Sequence, residues 1–349
     1  MNLGLPRATY KVKLKSSVIW EAALGISVST YPDIFHTLEK GPDFWPNVRS
    51  GLSCDLEMEL KYTEENNTWY ALLSLLHSKD FESQSEFSEF LNRLPAGEFL
   101  YRCLPFLGEE EEYIRKEAAF ERADSAWIYM SKLVEGHKFF PSYISFLAKC
   151  DIPRLKQHLS SVLSGWLREV VEIEEESIAM MLKREENQKR VKIDQLDPEE
   201  YVESATGGIR YSPEPGIANV LLIPQSVYRP WHLEMTLQGQ KVFYYPVDDA
   251  NLPGNEDMFK PPSMLVQAYK ALADEKRLRI IKHLYREGLS LQQLTDRLDM
   301  PKTTLHHHLS LLRSARIVKS EHSIFKLNKE KTEELSYMME SYLKRGMEE

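Results

Sequence analysis

Three consecutive histidines, His306, His307 and His308, stand in the stretch PKTTLHHHLSLLRSA, residues 301–315. Imidazole can ligate a metal, move a proton or hydrogen-bond another molecule, and spacing decides which. Successive helical residues are about 100° apart, so three in a row fan over roughly 200° and do not converge on one ion. A helical metal pair needs partners four residues apart, but Lys302 precedes His306 at that step and Leu312 follows His308. A metal site in the triplet is therefore not expected.

The apolar positions Leu305, Leu309 and Leu312 set the direction of each imidazole. His308 borders that face and reads as a packing residue. His306 and His307 project from the other side with Lys302, Thr303 and Ser310. Two readings stay open for that side: an ordinary exposed helix surface, or a surface on which Thr303, His306 and His307 meet base edges while Lys302 and Arg313 meet phosphates. Amide groups behind Pro301 add a favourable pole for phosphate. Thr304 either caps the helix or contacts a phosphate backbone.

These residues belong to a basic region on an acidic chain. The 349 residues carry a formal net charge of -9, yet the segment from Ser263 to Lys329 holds 13 Lys and Arg against 6 Asp and Glu. That asymmetry marks a basic module attached to an acidic body. The elements that must position the histidines follow in order. MLVQAYKALAD (residues 264–274) is amphipathic, and Asp274 can cap EKRLRIIKHLYREG, which Gly288 ends. SLQQLTDRL follows with Ser290 as N-cap, then a turn at Asp299 and Met300, then the helix opened by Pro301. Two short helices joined by a tight turn form a helix-turn-helix, and RIVKSEHSIFKLN reads as two short strands around a turn near His322 and Ser323. Arg277, Arg279 and Lys282 precede the motif and read as solvated more readily than as nucleic-acid contacts.

The order ALADEKRLRIIKHL, then LQQLTDRLDMPKTTLHHHLSLLRSARIVKS, resembles the winged helix-turn-helix domain of ArsR-type transcriptional regulators. Their ending HLxxLxxAGLV stands here as HLSLLRSARIV, residues 308–318. The resemblance covers about 65 residues. It departs at Arg316, where the family usually has Gly, and in a short wing whose basic residues are Lys319 and Lys326. It implies double-stranded operator DNA as partner, binding through Lys302, Thr303, Thr304, His306, His307, Ser310, Arg313, Lys319 and Lys326. It also implies a homodimer, since two-fold dimers on palindromic sites are the usual arrangement. Metal-sensing members carry cysteines in the first motif helix or a carboxylate and histidine set after the wing. Here SLQQLTDRL has no Cys and KTEELSYMMESYLKRGMEE has no His, so no metal or cofactor is expected.

Upstream, TYKVKLK alternates like a half-buried strand, SSVIWEAALGISVST reads as a short helix, and Pro32 to Pro46 as irregular. Helical patterns dominate from about Thr68 to Lys192, including one long helix beginning at a solvated Glu run, 109–112. A second helical block ends in mixed charge that reads as exposed. NVLLIP, HLEMTL and KVFYYPV read as strands, the last two as a hairpin through QGQ. YKVKLKSSVIWEAALG and VLLIP also resemble, more loosely, a large N-terminal region found on some ArsR-type regulators, which implies association or sensing.

The expected architecture is mainly α with small β elements (α+β). A mostly helical N-terminal domain with a small antiparallel sheet (residues 1–250) leads through a linker (251–263) to the winged helix-turn-helix domain (264–349). Cys54, Cys103 and Cys150 are too sparse for a disulfide framework and read as buried thiols. The chain has no long apolar run to span a bilayer and no secretory leader pattern, so a cytoplasmic location is expected. No GxSxG, HExxH, GxxxxGK or GxGxxG pattern is present, and an enzyme is not expected. Three readings therefore stand. One is a sequence-specific DNA-binding repressor. A second is a protein-interaction module whose winged helix no longer binds DNA specifically. The third is a ligand-responsive protein whose Trp20, Trp45, Trp69, Trp127 and Trp166 either line an effector pocket or form core.

Overall fold

The computed structural model describes residues 9–253, 259–321 and 323–344. The chain divides into two compact units. One comprises residues 1–35 and 42–247, and the other residues 36–41 and 248–349. Inclusion of His36–Gly41 in the second unit has no local sequence signal.

The first unit is mainly helical with one small sheet. Its strands are β1 (Lys11–Leu14), β2 (Asn219–Gln225), β3 (Leu233–Leu237) and β4 (Gln240–Pro246), in the order β1-β2-β4-β3. The sheet is mixed instead of antiparallel. β1 and β4 both run parallel to β2, with Val12 opposite Val220 and Leu222 opposite Phe243, and only the β3–β4 hairpin is antiparallel. Parallel partners need a long crossover, and here nearly the whole helical body lies between β1 and β2. One cluster on this sheet gathers Tyr10, Leu14, Tyr201, Val220 and Phe243, and the Tyr10 hydroxyl donates to the Tyr211 carbonyl at 2.7 Å.

The Val18–Ser29 helix starts where the Ser17 hydroxyl accepts the Ile19 N–H, and every residue from Ile19 to Ser29 is buried. Burial on every side, with Glu21 and Ser27 among the buried residues, makes this a central helix. Gly25 permits close approach of Trp166, because a Cβ there would lie 2.8 Å from the Trp166 Nε1. The stretch expected to be irregular is instead helical, with a 3₁₀ turn at Pro32–Thr37 and an α-helix at Phe44–Ser50. The long helix expected from the Glu run is broken. Glu112–Lys116 passes into a π-turn at Glu117–Glu121, Arg122 takes φ 54°, and a new helix runs Asp124–Leu133. Glu112 itself is buried, where it pairs with Arg115 at 3.0 Å and accepts from the Tyr101 hydroxyl.

The second block divides similarly into Ile152–Trp166, a π-turn at Leu167–Val171 and Glu175–Arg190. Its charged end is not simply solvated, because Glu185 and Glu186 are buried. Glu186 accepts from Ser16 at 2.5 Å and from Arg190. Cys103 is buried and Cys150 half-buried, and burial pushes both thiols up, Cys150 to about 11. Cys54, expected to be buried, is exposed at the start of the Cys54–Asn66 helix. Among the described residues no helix is long and apolar enough to cross a membrane.

In the second unit, helices run Ser263–Leu272, Glu275–Arg286, Leu291–Leu298, Lys302–Ser314 and Lys329–Lys344. Three short strands, β5 (Leu289–Ser290), β6 (Val318–Glu321) and β7 (Ile324–Leu327), pair antiparallel in the order β5-β7-β6. The expected wing is β6 and β7, while β5 has only two residues and carries too little pattern to read. His322, the expected centre of the wing turn, lies outside the described residues, as do 254–258 of the expected linker. One aliphatic core joins Ile280, Leu284, Leu289, Leu294, Leu305, Leu309, Leu312 and Ile317, with Phe325 at its edge.

Candidate nucleic-acid interface

Local chemistry at each helix end builds the motif. Asp274 accepts the Arg277 N–H at 2.9 Å, which caps Glu275–Arg286. Ser290 makes a reciprocal capping box with Gln293, so two amide donors at the start of Leu291–Leu298 are satisfied. Asp299 ends that helix in the left-handed region at φ 50°, and its short polar side chain suits it to such a position. Pro301 then opens the 13-residue Lys302–Ser314 helix.

Leu305, Leu309 and Leu312 are at most 1% exposed and fix this helix to the core. Away from that face Thr303, His306 and His307 are exposed, Lys302 and Arg313 are exposed beside it, and Thr304 and Ser310 are partly buried. The structure thus brings seven of the nine expected site residues onto one helix. Lys319 and Lys326 lie directly opposite each other across β6 and β7, both exposed.

The histidine triplet separates by environment. His308 is buried, its Nδ1 has no hydrogen-bond partner, and desolvation holds the imidazole below its ordinary range despite the opposing pull of Asp274. It is a buried packing group. His307 keeps an exposed surface, and its ring centroid lies 5.0 Å from that of His36 in the same unit. Desolvation first, then His36 and Arg277, lower its pKa. His306 is exposed on the outer face.

Arg277 turns out to be structural. Its guanidinium donates to the Ala271 and Lys270 carbonyls at 2.6 and 3.0 Å and ties off the end of Ser263–Leu272. Arg279 pairs with Glu275 at the surface. Gly288 was legible as a helix stop, but its tighter constraint is β7. A Cβ at Gly288 would lie 2.8 Å from the Ile324 Cγ2 and 3.1 Å from the Lys326 Cγ, so the wing strand packs directly over this residue. Arg316 adopts φ 56°, the left-handed conformation for which glycine is the usual choice.

In the first unit, Glu59, His158 and Thr68 are hydrogen-bonded in series, with His158 Nε2 2.7 Å from the Thr68 hydroxyl. That order is the one a nucleophile relay would use. Thr68 and Thr63 are fully buried, however, so the network joins three helices inside the core. No group of three or more His, Cys, Asp or Glu suited to a metal occurs among the described residues. Trp45, Trp127 and Trp166 are core residues, and Trp20 is buried apart from an edge on a surface cavity.

No curated protein and no solved structure matches the chain at a significant level. A family model described as a helix-turn-helix domain matches residues 272–321, which spans the capped helix pair and the first wing strand. The C-terminal unit is therefore a helix-turn-helix domain of the kind that binds DNA.

Proposed function

We propose that the protein is a sequence-specific DNA-binding transcriptional regulator of ArsR type that represses as a homodimer. The Lys302–Ser314 helix enters the major groove. One observation carries the reading: Leu305, Leu309 and Leu312 anchor this helix so that Lys302, Thr303 and His306 stand together on its solvent side. Lys302 and Arg313 neutralise phosphates, with Lys319 and Lys326 of the wing alongside. Thr303, His306, His307 and Ser310 face base edges, and Thr304 supports the backbone contact. A two-fold dimer doubles the half-site, and the resemblance to ArsR-type regulators favours repression. The protein acts in the cytoplasm without enzymatic activity, and its N-terminal unit responds to a small-molecule effector.

The test is binding of the intact protein to its own upstream DNA across a range of salt. Affinity should fall steeply with salt while sequence preference persists. Lys302→Ala should weaken binding to all sequences and lower the salt slope by about 1. Thr303→Ala and His306→Ala should relax discrimination at particular bases, at about 1–3 kcal/mol each. Identical behaviour of Lys302→Ala and His306→Ala on every operator variant would overturn the division of roles, and loss of sequence preference at all salts would overturn the function.

A further inference from the structure

A cavity of about 280 Å³ opens in the first unit between the start of the Val18–Ser29 helix and the Glu175–Arg190 helix. Lys15, Asp80, Lys183 and Glu186 supply charge, and Trp20 and Phe81 supply aromatic walls. The charges are two of each sign. The volume lies just below the roughly 300 to 1,000 Å³ of common ligand sites, which suits a small metabolite.

The four charges are unequally committed. Glu186 is buried and held by Ser16 at 2.5 Å and by Arg190, which fixes one wall. Lys15 and Asp80 pair at 2.5 Å, but their side chains are 38% and 74% exposed, and such surface pairs contribute little on their own. Lys183 is 61% exposed and reaches Glu186 at 3.3 Å. Lys15, Lys183 and Asp80 are therefore able to exchange partners at small cost. Trp20 is preorganised by contrast. Its ring stacks on His77 at 5.4 Å, and His77 is hydrogen-bonded to the Tyr244 hydroxyl at 2.6 Å.

We propose that this cavity binds a small zwitterion, namely an α-amino acid with a large apolar or aromatic side chain. The ligand carboxylate takes Lys15 and Lys183, its ammonium takes Asp80, and its side chain lies against Trp20 and Phe81. A simple anion or cation meets as much like charge as opposite charge here. A zwitterion satisfies both signs and leaves the local net charge unchanged. The inference deepens the effector part of the proposed function, and its measurement uses no DNA, so its failure is separable from failure of the DNA-binding reading.

The experiment is calorimetric titration of the intact protein with L-phenylalanine, L-leucine and L-methionine, and with 3-phenylpropionate and phenethylamine, each of which lacks one charge. At least one amino acid should bind saturably, and each half-charged probe should bind at least about tenfold more weakly than L-phenylalanine, equivalent to about 1.4 kcal/mol. Asp80→Asn, at an exposed residue, and Lys15→Ala, at a partly buried one, should each weaken amino-acid binding by about tenfold without altering the circular dichroism spectrum. Absence of saturable binding for all three amino acids overturns the proposal. So does 3-phenylpropionate or phenethylamine binding as tightly as L-phenylalanine, or unchanged amino-acid binding in Asp80→Asn.

Discussion

The two units hold themselves together in different ways. The C-terminal core is almost wholly aliphatic, with leucines recurring at helical spacing and Thr37, His308 and Ser314 the unit's buried polar residues among those described. The N-terminal unit buries Glu21, Glu112, Arg115, His158, Glu185, Glu186 and Arg229. Its polar groups find partners far along the chain. Glu21 accepts from the Ser226 amide 205 residues away, and Ser27 bonds the Tyr228 hydroxyl across 201 residues. An aliphatic core is non-directional and tolerates redesign by volume, whereas a buried polar network is specific and costly to leave half satisfied.

The sharpest way to break this contrast is to cut each core and see which unit responds. All six tryptophans lie in the N-terminal unit, so their fluorescence reports that unit alone while circular dichroism reports both. Leu305→Ala should destabilise the C-terminal unit by about 2–5 kcal/mol. The expected signature is a lowered circular dichroism transition with the tryptophan transition in place; if both shift equally, the units do not divide stability as described.

Gly288→Ala should cost about 1–3 kcal/mol through overpacking against Ile324, visible in the same transition. Wild-type stability in that variant would mean that β7 yields freely. Thr68→Val is the counterpart in the polar core. Removing the 2.7 Å partner of His158 Nε2, which leaves it the longer 3.3 Å contact to the Thr63 hydroxyl, should cost about 0.5–1.5 kcal/mol, read by tryptophan fluorescence. An unchanged midpoint would show that the polar network is less demanding than the aliphatic core.

The smallest effect near neutral pH concerns His77. Desolvation, then the nearby Lys15 charge, pushes its imidazole down to about 4 from 6.5. The unfolded chain therefore binds the proton more readily than the folded one. His77 adds no pH dependence above 6.5, and stability falls as pH drops from 6.5 toward 4. His77→Gln should flatten the tryptophan-detected stability profile in that window; an unaltered profile would assign the pH response to other groups.

Legibility in the sequence follows the same contrast. The caps at Asp274 and Ser290, the turn at Asp299 and the leucine face of Lys302–Ser314 were readable because each is a local pattern with a local cause. The division of the histidines was readable in part, since helical geometry places His308 at the packed edge, but the nearness of His36 to His307 joins residues 271 positions apart. In the N-terminal unit the helical content was readable, but the breaks were not. The apolar period runs on through Trp166 to Val171, and the π-turn there changes the backbone without changing the pattern. The burial of Glu186 was hidden because a charged helix end looks solvated until Ser16, 170 residues away, is brought to it. The parallel pairing of β1 with β2 was hidden because no hairpin announces it.

The wholly buried Val18–Ser29 helix has a consequence for how the protein is made. Its hydrogen-bond partners at Ser226 and Tyr228 follow about 200 residues later. At the roughly 5–20 residues per second of translation, that interval is on the order of 10–40 s. For that time Glu21 and Ser27, which the folded protein buries, emerge from the ribosome without the partners that satisfy them, and water must serve in their place.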